Sequence, residues 1–73
     1  MSSGKFLGLL RVMAEPTRMR ILGLLREAEL TVVELQEIFG MRQSRISAHL
    51  SLLRRSGLVV QRRLGRKSYY SFA

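Results

Sequence analysis

Between Arg42 and Arg55 the sequence reads Arg-Gln-Ser-Arg-Ile-Ser-Ala-His-Leu-Ser-Leu-Leu-Arg-Arg, so long hydrogen-bond donors stand among short side chains. On a helix that enters a major groove, arginine can grip guanine O6 and N7, and glutamine can grip adenine N6 and N7. Gln43, Ser44 and Arg45 begin such a stretch, and Ser47 and Ala48 are small enough to let the backbone approach a duplex. These five are the candidate base readers. Arg42, Ser51 and Arg55 flank them where phosphates would lie. A second cationic group follows in Arg62, Arg63, Arg66 and Lys67, with Tyr69 beside it, and it suits contact with a sugar-phosphate backbone or a narrow minor groove. The chemistry on offer is recognition of double-stranded DNA, not bond making.

Charge placement supports a polyanionic partner. The 73 residues carry 13 Lys+Arg and 5 Asp+Glu, for a formal net charge of +8. Up to Met41 the two signs balance; from Arg42 onward there are Arg42, Arg45, Arg54, Arg55, Arg62, Arg63, Arg66 and Lys67, and no acidic residue. A charge run is commonly only a solvated face, but such a face ordinarily mixes signs. Nucleic acid and an anionic membrane surface are the polyanions to weigh. If about six of these cations meet phosphates, log affinity falls with log salt at a slope of about −5.

Composition excludes other chemistries. Cysteine is absent and His49 is the single histidine, so neither a disulfide framework nor a thiolate metal site is available. No metal and no cofactor are expected. The sequence holds no nucleophile–base pair, no glycine-rich phosphate loop and no clustered carboxylates, and it is read as a non-enzyme. No apolar run approaches the ~18 residues that span a bilayer, and no cleavable signal is visible. The expectation is a cytoplasmic chain without a membrane partner. A chain this short buries only about 60% of its unfolded surface, which leaves room for one domain over residues 1–73.

The elements that must position these residues follow from periodicity. Lys5–Met13 carries Phe6, Leu7, Leu9, Leu10 and Met13 on one face of a short helix. Glu15-Pro16 restarts a helix that runs to about Glu27, because proline suits the first helical position. Met19, Ile21, Leu22, Leu24 and Leu25 supply its core stripe, with Arg18, Arg20 and Arg26 outside. Thr31-Val32-Val33-Glu34 matches a capping box. The helix it opens is expected to bury Val32 or Val33, Leu35, Ile38 and Phe39 and to end at Gly40. After the turn Gly40-Met41-Arg42, a fourth helix runs from about Gln43 to Arg55, with Ile46, Leu50 and Leu53 as its buried stripe. Two helices joined by a short glycine-containing turn form a helix-turn-helix unit. Leu58–Arg63 and Ser68–Phe72 then flank Leu64-Gly65-Arg66-Lys67 as a β-hairpin. The fold class is mainly α with a small antiparallel hairpin.

Two smaller features take plain readings. His49 falls beside the buried stripe and is read as an interhelical packing residue, with a phosphate contact as the alternative. Tyr69, Tyr70 and Phe72 are read as core and hinge residues of the hairpin rather than base-stacking platforms, Tyr70 and Phe72 on one face and Tyr69 on the other.

At this point four segments, in order, resemble one family. Leu10–Leu22 resembles the "ALADPTRLRIL" opening of the ArsR-type winged-helix repressors. Glu29–Leu35 resembles the start of their third helix. Gln43–Leu50, with Leu53, Gly57 and Leu58, resembles their recognition helix and its exit, and Gly65–Tyr70 resembles their wing. The resemblance implies a winged helix-turn-helix, four helices then a wing, and a transcriptional regulator, commonly a repressor that binds a palindromic operator as a dimer. Many members sense metals through cysteines in the third helix; Thr31 and Val33 stand where those cysteines would be, and neither replaces a thiolate. Members dimerise through the first helix and a last helix after the wing. A homodimer is therefore expected through Phe6, Leu7 and Leu10, or through a C-terminal segment missing here. Relatives fused ahead of methyltransferase domains keep open a second arrangement, the N-terminal DNA-binding or regulatory part of a larger enzyme. A winged helix used for protein or membrane contact is the third.

Overall fold

A computed structural model describes residues 3–73. Helix α1 spans Ser3–Ala14 and α2 spans Pro16–Glu27. Glu15 caps α2, its carboxylate accepting from the Arg18 N–H at 3.0 Å, and Pro16 fills the first position where a missing N–H costs nothing. Strand β1 (Leu30–Thr31) runs into α3 (Val32–Phe39), which opens with the expected capping box: the Glu34 N–H donates to Thr31 Oγ1, and Thr31 N–H donates to Glu34 Oε1 at 2.8 Å. Gly40 closes α3 at φ 63°, the left-handed conformation a Cβ disfavours. Helix α4 covers Gln43–Arg55, and β2 (Val59–Leu64) and β3 (Lys67–Phe72) form the hairpin.

The core lies where α2, α3, α4 and β2 converge. Ile21, Leu22, Leu25, Leu35, Ile46, Leu50, Leu53 and Val59 make one buried cluster, with Val12, Met13, Leu30, Val32 and Tyr70 among the half-buried residues packed around it. The α4 stripe Ile46, Leu50 and Leu53 is buried as its spacing predicts.

Several boundaries and faces differ from the sequence expectation. The hairpin is part of a three-stranded antiparallel sheet in the order β1-β3-β2, because Leu30 and Thr31 pair with Tyr70 and Tyr69. Two residues are too short to show a strand period, so β1 left no mark in the sequence. The hairpin turn is tighter than expected: Leu64 pairs with Lys67, leaving only Gly65 and Arg66 between the strands. Gly65 has φ 62° and among the described residues no non-glycine has positive φ, the pattern of a type II′ turn, which matches the strand twist. Met19 and Ile38, expected in the core, are exposed, and of the two valines Val32 is half-buried while Val33 is exposed. Both Met19 and Ile38 lie on the edges of their apolar stripes, and nothing in the described residues packs over those edges. Arg18, expected outside, is half-buried because its guanidinium turns inward to Val12 and His49. Phe72 shares a sheet face with Tyr70 as expected, yet it is 42% exposed. Among the described residues no helix is long and apolar enough to cross a membrane.

Candidate nucleic-acid interface

The buried stripe of α4 fixes which face turns outward. With Ile46, Leu50 and Leu53 in the core, Arg42, Gln43, Ser44, Arg45, Ala48 and Arg55 are exposed and Ser47 and Ser51 half-buried. The structure thus places all five candidate base readers on one helix, four of them exposed and Ser47 half-buried. Gln43 Nε2 lies 3.3 Å from Ser47 Oγ, and Arg55 Nε donates to the Ser51 carbonyl at 3.4 Å. These contacts hold long side chains along the helix. Arg42, the residue before α4, makes no side-chain cap, so no side chain satisfies the N–H groups of Gln43 and Ser44, whereas the Arg45 N–H donates to the Arg42 carbonyl at 3.1 Å.

Strand alternation divides the hairpin cations. Val59 and Gln61 point toward the core side of the sheet, and by the same period so does Arg63, paired across from Ser68. Arg54 of α4 donates to Gln61 Oε1, and Gln61 Nε2 donates to Ser68 Oγ at 2.9 Å. This relay ties α4 to both hairpin strands and fixes the wing's angle to it. Sequence reasoning missed Arg54 and Gln61; the only signal was an amide at an inward position between Val59 and Arg63.

Arg62 and Lys67 face the opposite way. Arg62 is bound by Glu29 through two parallel hydrogen bonds, at 3.0 and 2.9 Å, and its guanidinium lies 5.1 Å from the Tyr69 ring centre. The pair holds the Glu29 carboxyl below its usual range and raises the Arg62 pKa further. Arg62 is therefore occupied within the chain, and Tyr69 forms the stacked floor beneath it. The 33-residue separation of Arg62 from Glu29 leaves no local pattern to read. Arg66 projects from the turn.

His49 joins α4 to the start of α2, as its packing role predicts. Arg18 Nε donates to the Val12 carbonyl at 2.7 Å, and its Nη1 lies 3.4 Å from His49 Nδ1. A guanidinium only donates, so this contact calls for Nδ1 as acceptor, the neutral tautomer with its proton on Nε2. Burial lowers the His49 pKa; Glu15, 3.9 Å away, opposes this more weakly. Glu15 is itself lowered, chiefly by the Arg18 N–H. Among the described residues no three His, Cys, Asp or Glu side chains come together in a way that could hold a metal.

Phe6, Leu7 and Leu10 on α1 are 53%, 50% and 45% exposed, and no α1 residue is fully buried. They form an uncovered apolar stripe.

Comparison with known proteins matches these features. The family described as bacterial regulatory protein, arsR family, matches residues 15–60, from the cap of α2 into β2. The HTH-type transcriptional regulator NmtR of Mycobacterium tuberculosis is 47% identical over 62 residues, which are 85% of this chain and 52% of that protein. The transcriptional activator HlyU of Vibrio cholerae is 39% identical over 99% of this chain and 67% of its own length. Its solved structure superposes with a TM-score of 0.90, over 97% of this chain and 77% of that one. A homodimeric winged helix-turn-helix DNA-binding domain of a possible ArsR-family transcriptional regulator from Mycobacterium bovis is 33% identical, with a TM-score of 0.88 over 96% of this chain and 65% of that one. The chain spans about half to two thirds of the length of these curated relatives.

Proposed function

Because this chain belongs to the arsR family of bacterial regulatory proteins, we propose that it binds double-stranded DNA sequence-specifically as a transcriptional regulator. One observation carries the reading: α4 buries Ile46, Leu50 and Leu53 and turns outward a face of arginines, glutamine and small residues without a single carboxylate. In this reading α4 lies in the major groove, where Gln43, Ser44 and Arg45 read base edges and Ser47 and Ala48 permit the approach. Arg42, Ser51 and Arg55 meet flanking phosphates, and the uncapped N–H groups of Gln43 and Ser44 add to them. Of the hairpin residues, Arg63 and Arg66, with Lys67, follow the backbone. Arg62 and Tyr69 brace the wing through Glu29 and reach DNA only at its edge.

The active species is a homodimer through Phe6, Leu7 and Leu10. Support comes from the exposure of that stripe and from the homodimeric relative from M. bovis. Occupying an operator blocks access to it, so repression is the simplest output of binding alone. The proposed activity is binding rather than catalysis, carried out in the cytoplasm where bacterial DNA lies. The larger-enzyme alternative gains no support from the regulators named above.

Selection from a random duplex library at two salt concentrations tests the reading. The wild type should enrich a two-fold symmetric site. Arg45→Ala should relax preference at one base pair per half-site, costing about 1–3 kcal/mol there. Replacing Arg63 and Arg66 by glutamine should weaken all duplexes alike and flatten the salt slope. If no sequence enriches while non-specific binding persists, Gln43, Ser44 and Arg45 are not base readers.

A further inference from the structure

On the side of the hairpin turned away from Gln61, a cleft of about 560 Å³ opens between the wing and the start of α3. Its volume lies in the range of small-molecule sites. Val32, Val33 and Tyr69 give it apolar walls, and Arg66 and Lys67 stand at its rim. Val33, an apolar side chain at a helix start, lines the cleft and is 61% exposed. The Tyr69 wall is fixed, because its ring lies under the Arg62 guanidinium, which Glu29 in turn holds.

The charges in the cleft are unevenly committed. Glu34 also lines it, but its Oε1 accepts from the Thr31 N–H at 2.8 Å and the Thr31 hydroxyl at 3.1 Å, so the carboxylate serves the α3 cap. Among the described residues the side chains of Arg66 and Lys67 make no ion pair or hydrogen bond. Two uncommitted cations beside apolar walls favour a ligand with one anionic head and an apolar body. The Glu34 charge across the cleft disfavours a second anionic group.

We propose that this cleft binds an amphipathic monoanion, an aromatic or aliphatic carboxylate, with its head between Arg66 and Lys67 and its body on Val33 and Tyr69. Occupancy competes with DNA for the same two cations, so the cleft is an effector site; this second step rests on the DNA-binding reading above. By linkage, DNA must then weaken the ligand as much as the ligand weakens DNA.

The test is an NMR titration of the full chain with 1-naphthoate, alongside acetate, which has the head alone, and 1-naphthylmethanol, which has the body alone. Naphthoate should shift the signals of residues 31–34 and 66–69 and bind at least ten-fold more tightly than either control. Val33→Glu adds a repelling charge at an exposed helix start, where an acidic residue suits the fold, and should weaken naphthoate at least ten-fold with an unchanged circular dichroism spectrum. Shifts centred on Phe6, Leu7 and Leu10, equal binding of a control, or binding that survives Val33→Glu would overturn the site. In a second arm, saturating naphthoate should weaken the selected duplex at least five-fold for the wild type and leave Val33→Glu unaffected. A duplex affinity unmoved by bound naphthoate overturns the competition. A chain that binds naphthoate but no duplex at all overturns the DNA reading and leaves the ligand site standing.

Discussion

Helices α1 and α4 are of similar length and both carry an apolar stripe, yet they meet opposite fates. On α4, Ile46, Leu50 and Leu53 are fully buried against α2, α3 and β2. On α1 only the C-terminal end, Val12 and Met13, packs on the core, while Phe6, Leu7 and Leu10 lie open. An amphipathic pattern says that a helix has a face to bury. It does not say that the same chain supplies the surface. The difference matches the work proposed for the two helices: a core-anchored α4 that presents a polar face to DNA, and an α1 whose open apolar face meets a second copy.

The sharpest test of this contrast is a matched pair of truncations. Leu53→Ala removes a side chain with no exposure and should cost about 2–5 kcal/mol in urea unfolding. Leu10→Ala should cost less than about 0.5 kcal/mol in dilute chain, where its side chain is exposed. The same Leu10→Ala chain should dissociate at higher concentration in sedimentation equilibrium than the wild type. Equal costs in dilute chain would mean that α1 is as much a part of the core as α4.

Thr31→Ala comes next in size. It removes the acceptor for the Glu34 N–H and should lower stability by about 1 kcal/mol. Because α3 packs on α4 through Leu35, duplex affinity should fall with it, while self-association through α1 stays unchanged. Loss of self-association in this variant would couple the two regions that the fold keeps apart.

The smallest effect concerns a polar link between them, from the Val12 carbonyl through Arg18 to His49. Burial lowers the His49 pKa below its ordinary value of 6.5, so the unfolded chain takes up the proton more readily than the folded one. The stabilisation is complete above the unfolded value and is lost as pH falls toward and through the lower folded value. Glu15 and Glu29 add contributions present above about 4.5 and lost below it, because their folded pKa values are also lowered. Urea midpoints should therefore decline modestly from pH 7.5 to 5.5, and His49→Gln should flatten that decline. A decline that persists in His49→Gln assigns the proton to another group.

Much of the framework that orients the proposed recognition surface was legible in the residues. The capping box, Gly40, Pro16 and the 46–50–53 stripe are local signals with local causes, and each sets an element that orients α4. The hairpin was legible too, and its register then followed from the glycine turn. What escaped were pairings across the chain: β1 with β3, Arg62 with Glu29, Arg54 with Gln61, and Arg18 with His49. The four wing cations read in sequence as one projection. Strand alternation in the folded sheet assigns Arg63 to the α4 side and Arg62 to the Glu29 side.

By itself, then, the sequence determined the elements, the basic second half and the helix proposed to read bases, because helix period, caps and turn glycines act over a few residues. Tertiary structure alone decided which cations are spent within the chain, which apolar faces stay open, and where a cleft forms between α3 and the wing. Those outcomes depend on surfaces brought together from distant segments, and no spacing along the chain encodes the angle at which they meet.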